Sequence, residues 1–380
     1  MHHALYVTRR SLTVPEHPVA NPFADEFAPR ALRSVPAPSG REAAAPLAPE
    51  PEKLQPLSFD ERSANQLRPS TFDGMVGQPR VKRFMRRIIA NAQTTGRPLD
   101  HMLLAGQSGT GKTTLAQVVA HEMGRRVFQV AAPVDRAMFE KLRVSCEDGD
   151  VVIVDEIHQQ VSGDRRGVTQ AADPETFFAV MEDRRLNTPA GIVPFPCVTF
   201  IGCTTDTGLL PEPFLNRFPL RPMLDHYTVE EMATLAERNA TAIGMTISPE
   251  AALIFGRAAR RTPRQLNSYI KNARSLADAH INADLAREVV VDLNSTTLDG
   301  LNGDMTKMLL FLLSSRRESR DGHVVYQASV NTVATALGKS RDTKAIALYT
   351  EPWLIEAGFV AVTHGGRMLT EAGIARAREL

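Results

Sequence analysis

The chain has 380 residues with 44 Lys and Arg against 43 Asp and Glu, enough length for two or three domains with cores of their own and a net charge of only +1. That balance excludes a global basic field for nucleic acid, though not a local basic patch. Three cysteines, Cys146, Cys197 and Cys203, are odd in number and fall in no paired ligand spacing, which suggests neither a disulfide framework nor a zinc site and predicts a reducing compartment. No run approaches the length of a membrane span, and no continuous apolar segment follows the first charges, so the expected location is cytoplasmic.

Residues 1–63 are rich in Pro and Ala, as in Val35-Pro36-Ala37-Pro38 and Ala45-Pro46-Leu47-Ala48-Pro49. Repeated prolines break helices and few large apolar side chains are available to bury, which predicts a disordered arm, either a linker or a partner-binding tail. From Leu67 the texture changes. Helices are expected over 81–92, 114–120 and 136–144, and strands over 102–105, 127–130, 151–154 and 198–201. This alternation is that of a parallel sheet wrapped by helices, so residues 64–225 are expected to form an α/β core. After Tyr227 the strand signal stops, and 228–242, 249–259, 263–280 and 283–293 read as four helices of a small lid spanning 226–300. Thr228 and Ser248 supply hydroxyl caps there, and Glu230, Glu231 and Glu250 supply first-turn carboxylates. Residues 301–380 predict helices over 305–313, 329–337 and 342–357, then a hairpin over 359–369 turning at Gly365-Gly366, the pattern of a winged helix.

The chemistry lies in Gly106-Gln107-Ser108-Gly109-Thr110-Gly111-Lys112-Thr113, between the first strand and the helix that continues from Thr114. Glycines such as Gly109 and Gly111 let backbone N–H groups close round an anion, and the helix adds the positive end of its dipole. Lys112 would reach the β and γ phosphates of a nucleotide, and Thr113 would offer its hydroxyl to Mg²⁺. Val151-Val152-Ile153-Val154-Asp155-Glu156 is an apolar strand ending in two carboxylates. Beside a phosphate loop, Asp155 can hold Mg²⁺ through water and Glu156 can orient the water that attacks the γ-phosphate. The 198–201 strand runs into Gly202-Cys203-Thr204-Thr205, which projects a threonine near that water. Arg217 is either a surface arginine or one offered to a neighbour's nucleotide, and Arg264 either reports nucleotide state to the lid or lies on a solvated helix face; spacing leaves both open.

In their order along the chain these motifs resemble the RuvB family, the Holliday-junction branch-migration motors among AAA+ ATPases. The resemblance runs from Leu67 to the C-terminus and rests on Leu67-Arg68-Pro69, Leu99-Asp100-His101, the phosphate loop, Asp155-Glu156-Ile157-His158, Met181-Glu182-Asp183, Thr204-Thr205, Arg217-Phe218, Tyr227-Thr228, Thr262-Pro263-Arg264 and Ala357-Gly358-Phe359. It implies an AAA+ P-loop core with a helical lid and a winged helix, and ATP with Mg²⁺ as its cofactors. It also implies a homo-hexameric ring that hydrolyses ATP at subunit interfaces and moves duplex or four-way-junction DNA in recombination and repair. Residue by residue, it implies that Leu67 and Arg68 line the adenine pocket with Tyr227. Thr205 would be sensor 1, Arg217 the finger acting on the adjacent subunit, and Arg264 sensor 2.

The departures from the family pattern carry their own expectations. The long hairpin whose apolar tip docks a RuvA partner is reduced here to residues 184–193, so weak docking of a RuvA-like partner is expected. Residues 159–173 form an extra stretch, either a remodelled channel loop or a surface insertion. In Val362-Thr363-His364-Gly365-Gly366-Arg367 only Arg367 stands where the family sets arginines against DNA, which makes it the expected DNA contact. These losses leave an alternative activity, an AAA+ loader or remodeller that places another protein on DNA.

Overall fold

The computed structural model describes residues 51–57, 67–161, 174–318, 322–339 and 342–380. The expected arm lies outside the described residues except for 51–57, as does most of the extra stretch at 159–173. Residues 51–57 form no regular element, yet they are fixed rather than disordered. The Leu57 N–H donates to the Val127 carbonyl at 2.7 Å and the Leu54 N–H to Ser145 Oγ at 2.8 Å, while the two leucines pack into cores on opposite faces of the sheet.

The central sheet holds β1 (Met102–Ala105), β2 (Val127–Ala131), β3 (Val151–Asp155) and β6 (Thr199–Thr204), in the order β1-β6-β3-β2 with every pair parallel. Its near-continuous apolar strands follow from burial on both faces. The two-residue period of a strand divides them: Met102, Leu104, Val151 and Ile153 enter one core, and Leu103, Val152 and Val154 the other. Helices α1 (Pro79–Thr95) and α2 (Lys112–Glu122) cover the first face. The second face is covered by α3 (Arg136–Ser145) and α4 (Pro174–Asp183), whose Phe139 and Phe177 stack edge to face with ring centroids 5.4 Å apart. Between α4 and β6, β4 (Arg185–Thr188) and β5 (Gly191–Pro194) pair in an antiparallel hairpin with Pro189 and Ala190 at its turn. The expected short hairpin is therefore present, with Ile192 exposed near its tip. A one-turn helix α5 (Glu212–Leu215) follows β6, and the chain then returns beside β1 through bridges from Met102 to Leu220 and from Ala105 to Met223.

Helices α6 (Val229–Ala242), α7 (Pro249–Ala258), α8 (Pro263–Leu276) and α9 (Ala283–Glu288) form a second apolar cluster. Thr228 and Glu231 make a complete capping box at the start of α6, and Ser248 caps α7. Two short strands break the all-helical expectation: β7 (Thr246–Ile247) pairs in parallel with β8 (His280–Ile281), so α8 stops at Leu276 rather than running to 280. A two-residue pair has no periodicity to read in sequence. Just before α8, Arg260 and Arg261 both take left-handed backbone, with φ of 50° and 55°. The Arg260 side chain packs against Gly300 and reaches Met305 Sδ, and Arg261 pairs with Glu356 at 2.6 Å.

The C-terminal elements are α10 (Gly303–Ser314), β9 (Arg316–Glu318), β10 (Val324–Ala328), α11 (Val330–Ala336), α12 (Thr343–Ala345), α13 (Glu351–Glu356), β11 (Val360–Thr363), β12 (Gly366–Leu369) and α14 (Glu371–Glu379). A wider turn over Ile346–Thr350 joins α12 to α13 as the single expected helix. Their side chains form a further core. The hairpin expected over 359–369 is present, but it belongs to a four-stranded sheet in the order β11-β12-β10-β9. Strand β9 went unpredicted because its three residues are all exposed and polar, so no apolar alternation marks them.

Arg367 on β12 turns inward. Its guanidinium makes a two-pronged pair with Glu351, Nε to Oε1 at 2.7 Å and a second N–H to Oε2 at 2.8 Å, and the Glu351 side chain is only 4% exposed. Removing one partner of such a buried pair costs about 3–5 kcal/mol, because the other charge is left uncompensated, whereas replacing both with apolar groups is far milder. Glu351→Ala is therefore expected to destabilise this module by about 3 kcal/mol, and Glu351→Leu combined with Arg367→Met to recover most of the loss. Urea unfolding followed at the chain's one tryptophan, Trp353 in α13, reads this directly.

Candidate functional site

Parallel strands place their C-terminal ends along one edge of a sheet, and ligands of open α/β sheets bind there. Beyond that edge, and under α8, lies a cavity of about 650 Å³. Leu67, Arg68, Gly109, Gly111, Lys112 and Thr113 line it, and so do Thr114, Asp155, Glu156, Tyr227 and Arg264. The structure thus brings together residues spread over some two hundred positions of sequence.

The phosphate loop connects β1 to α2. Gly111, with φ of 101°, precedes α2 without any side-chain cap, so the first N–H groups of the helix remain available to an anion. Gly109 has φ of 81°, and a Cβ there would stand 2.7 Å from Thr262 Cγ2 and 3.1 Å from Arg264 Cβ; the lid sits on the loop only because this residue is glycine. Lys112 folds its ammonium back onto the carbonyls of Gly106 and Gln107, at 2.8 and 2.9 Å. Burial lowers its pKa, against the opposing pull of Glu156.

Thr113 Oγ1 donates to Asp155 Oδ1 at 2.9 Å, and the Gln129 amide donates to the other carboxylate oxygen. Gln129 was not foreseen, because a glutamine in a strand carries no motif of its own. A hydroxyl beside one carboxylate suits Mg²⁺, which takes one or two protein oxygens and fills its shell with phosphates and water. Among the described residues no cluster of three or more His, Cys, Asp or Glu could hold a metal on its own. Cys203 also reaches the cavity wall, and burial raises its pKa.

Glu156 has φ of 51°, a left-handed conformation that costs a non-glycine residue about 1–3 kcal/mol and is found mostly at functional sites. Thr205 Oγ1 donates to Glu156 Oε2 at 3.1 Å, and His158 Nδ1 lies 3.4 Å from the same oxygen and 3.1 Å from Thr204 Oγ1. Of Thr204 at the end of β6 and Thr205 just after it, Thr205 is the one that reaches Glu156.

At the other end of the cavity, Tyr227 is buried and its phenol is pushed up to about 12, by burial and by Glu231 beside it, so it remains neutral. Arg238 on α6, a residue with no sequence signal, donates to the Leu67 carbonyl at 2.9 Å, to the Gly74 carbonyl and to Asn239 Oδ1 at 2.6 Å. This ties the lid to the segment carrying Leu67 and Arg68. Arg264 at the start of α8 donates to Ser108 Oγ at 3.1 Å, and Asn267, Ser268 and Lys271 carry the same helix face along the cavity.

Two arginines stand apart. Arg217 does not line its own chain's cavity. Its guanidinium lies 3.8 Å above the Phe178 ring, donates to Glu182 Oε2 at 3.1 Å and bonds the Pro213 carbonyl. Arg367, the residue expected to contact DNA, is paired with Glu351 and its side chain is 17% exposed.

A parallel sheet with a phosphate loop, a helical lid over the loop and a C-terminal winged helix define an AAA+ ATPase. The profile described as "Holliday junction DNA helicase RuvB P-loop domain" matches residues 67–224, and that of the "RuvB C-terminal winged helix domain" matches 324–376. The chain is 34% identical over 333 residues to the Holliday junction branch migration complex subunit RuvB of Rubrobacter xylanophilus, covering 85% of this chain and 89% of that protein. Its counterpart from Kosmotoga olearia is 32% identical, over 83% of this chain and 93% of that one. The Thermotoga maritima RuvB Holliday junction branch migration motor superposes with a TM-score of 0.67 at 29% identity, over 82% of this chain and 98% of that structure. The chain belongs to the RuvB family.

Proposed function

We propose that this chain is an ATP-driven DNA motor that works as a homo-hexameric ring, moving duplex DNA to migrate Holliday junctions in recombination and repair. The observation that carries the reading is the division of the arginines: Arg264 faces its own nucleotide cavity, while Arg217 lies outside it. A second subunit would be needed to complete each site.

In this reading Lys112 leaves the Gly106 and Gln107 carbonyls for the β and γ phosphates of ATP, and backbone N–H groups from Gly109 to Thr113 cradle them. Thr113 and Asp155 would hold Mg²⁺, which would supply positive charge against the phosphates. Glu156, positioned by Thr205, aligns and polarises the attacking water. Leu67, Arg68 and Tyr227 enclose the adenine. Arg217 acts on the neighbour's γ-phosphate, where charge develops in the transition state. Glu182 and Phe178 hold its side chain until then. The short β4–β5 hairpin leaves little surface for a RuvA-like partner. Together with the committed Arg367 it favours one second reading, an AAA+ loader acting on a different protein client at DNA.

Steady-state ATP hydrolysis without DNA, with linear duplex and with a four-way junction separates the two. A motor is expected to be stimulated by DNA and to dissolve the junction, whereas hydrolysis indifferent to DNA would place the loader first. Glu156→Gln is expected to keep ATP affinity while hydrolysis falls by about 100-fold or more, and survival of turnover would reassign the base. Arg217→Ala is expected to be inactive alone yet partly rescued by mixing with Lys112→Ala subunits, since each variant supplies what the other's interface lacks. No rescue in mixed rings would refute a finger acting between subunits.

A further inference from the structure

Helix α1 carries Arg80, Lys82, Arg83, Arg86 and Arg87 and not one Asp or Glu. Two of the five bases have local partners: Lys82 donates to the Met75 carbonyl at 2.7 Å, and Arg86 pairs with Asp73. Among the described residues Arg80, Arg83 and Arg87 make no hydrogen bond or ion pair, and all three are exposed. At 3.6 residues per turn they fall on one side of the helix, spread over about 10 Å of its length, with Phe84 between them at 45% exposure. The opposite side is the buried one, through Val81, Met85, Ile89 and Ala92.

A merely solvated helix face interleaves acids and bases three or four residues apart, because such pairs stabilise it and like charges do the reverse. This face has only the unfavourable kind. Arg80 also stands in the first turn, where the helix dipole disfavours a cation and where no acid offsets it. In a chain of net charge +1 this concentration is local. We propose that Arg80, Arg83, Phe84 and Arg87 form a docking surface for the phosphate backbone of duplex DNA, outside the nucleotide site and the winged helix. Four of the five bases are arginine, whose flat fork matches a phosphate in two-pronged fashion. A single exposed aromatic is too little apolar surface for the core of a protein interface, which favours a polyanion over a protein partner. The inward commitment of Arg367 leaves part of the DNA grip to be supplied elsewhere. The proposal rests on the reading that DNA is this protein's substrate.

The test is fluorescence anisotropy of a labelled duplex with the full chain and a non-hydrolysable ATP analogue, from 50 to 200 mM salt, for wild type and for Arg80→Gln/Arg83→Gln/Arg87→Gln. Each phosphate contact contributes about 0.9 to the slope of log affinity against log salt. The triple variant is expected to lose about 2–3 of that slope and at least about tenfold in affinity at low salt. ATP affinity should be unchanged, and a triple lysine variant should restore the slope. Wild-type binding with the slope unaltered in the glutamine variant would overturn the docking surface alone. Loss of oligomers by sedimentation in that variant would overturn it too, assigning the face to contact between copies. Failure of the wild-type chain to bind duplex would overturn the motor reading and this proposal with it.

Discussion

The common direction of four strands is the constraint on which the rest depends. Because β1, β6, β3 and β2 run parallel, the loop after β1, the carboxylates at the end of β3 and the threonines at the end of β6 emerge at one edge within reach of one another. An antiparallel neighbour in that set would carry its terminal side chains to the opposite edge, beyond any hydrogen bond. Parallel strands need helical crossovers, and those helices cover both faces of the sheet and bury its apolar side chains. Packing and chemistry are thus the same fact seen from the middle of a strand and from its end.

The nucleotide site was largely legible in sequence because its parts are local and chemically marked. Glycines at fixed spacing, a lysine, a threonine and an apolar run ending in two carboxylates each speak for themselves. Arg238, Gln129 and Asn239 were silent for the opposite reason: their part in the site comes from the fold, which brings α6 and β2 to the cavity from distant sequence. Likewise the two-residue strands β7 and β8, and the fully exposed β9, lack the alternation by which a strand is read.

Arg367 shows a different limit. Its place beside the hairpin turn was correct in sequence, but the face of β12 on which it lies, and the acid awaiting it on α13, belong to tertiary structure. A two-residue period fixes which neighbours share a face without fixing which face meets the core. The Pro/Ala-rich arm makes the converse point at 51–57, where poor composition for a core still leaves enough for two leucines and two hydrogen bonds to settle on the edge of a sheet. An unpaired edge is a ready template for another strand, and this segment of the chain's own meets that edge at Val127.

The turn at Arg260 and Arg261 joins two sets of contacts. On one side Thr262 and Arg264 rest on the phosphate loop; on the other, Arg261 holds Glu356 of the winged helix. Left-handed backbone costs each of these two non-glycine residues about 1–3 kcal/mol, and a half-exposed ion pair returns about 1 kcal/mol or less. The same short turn carries both contacts, so a substitution that relaxed its backbone would disturb the lid's seat on the phosphate loop and the link to the C-terminal module together.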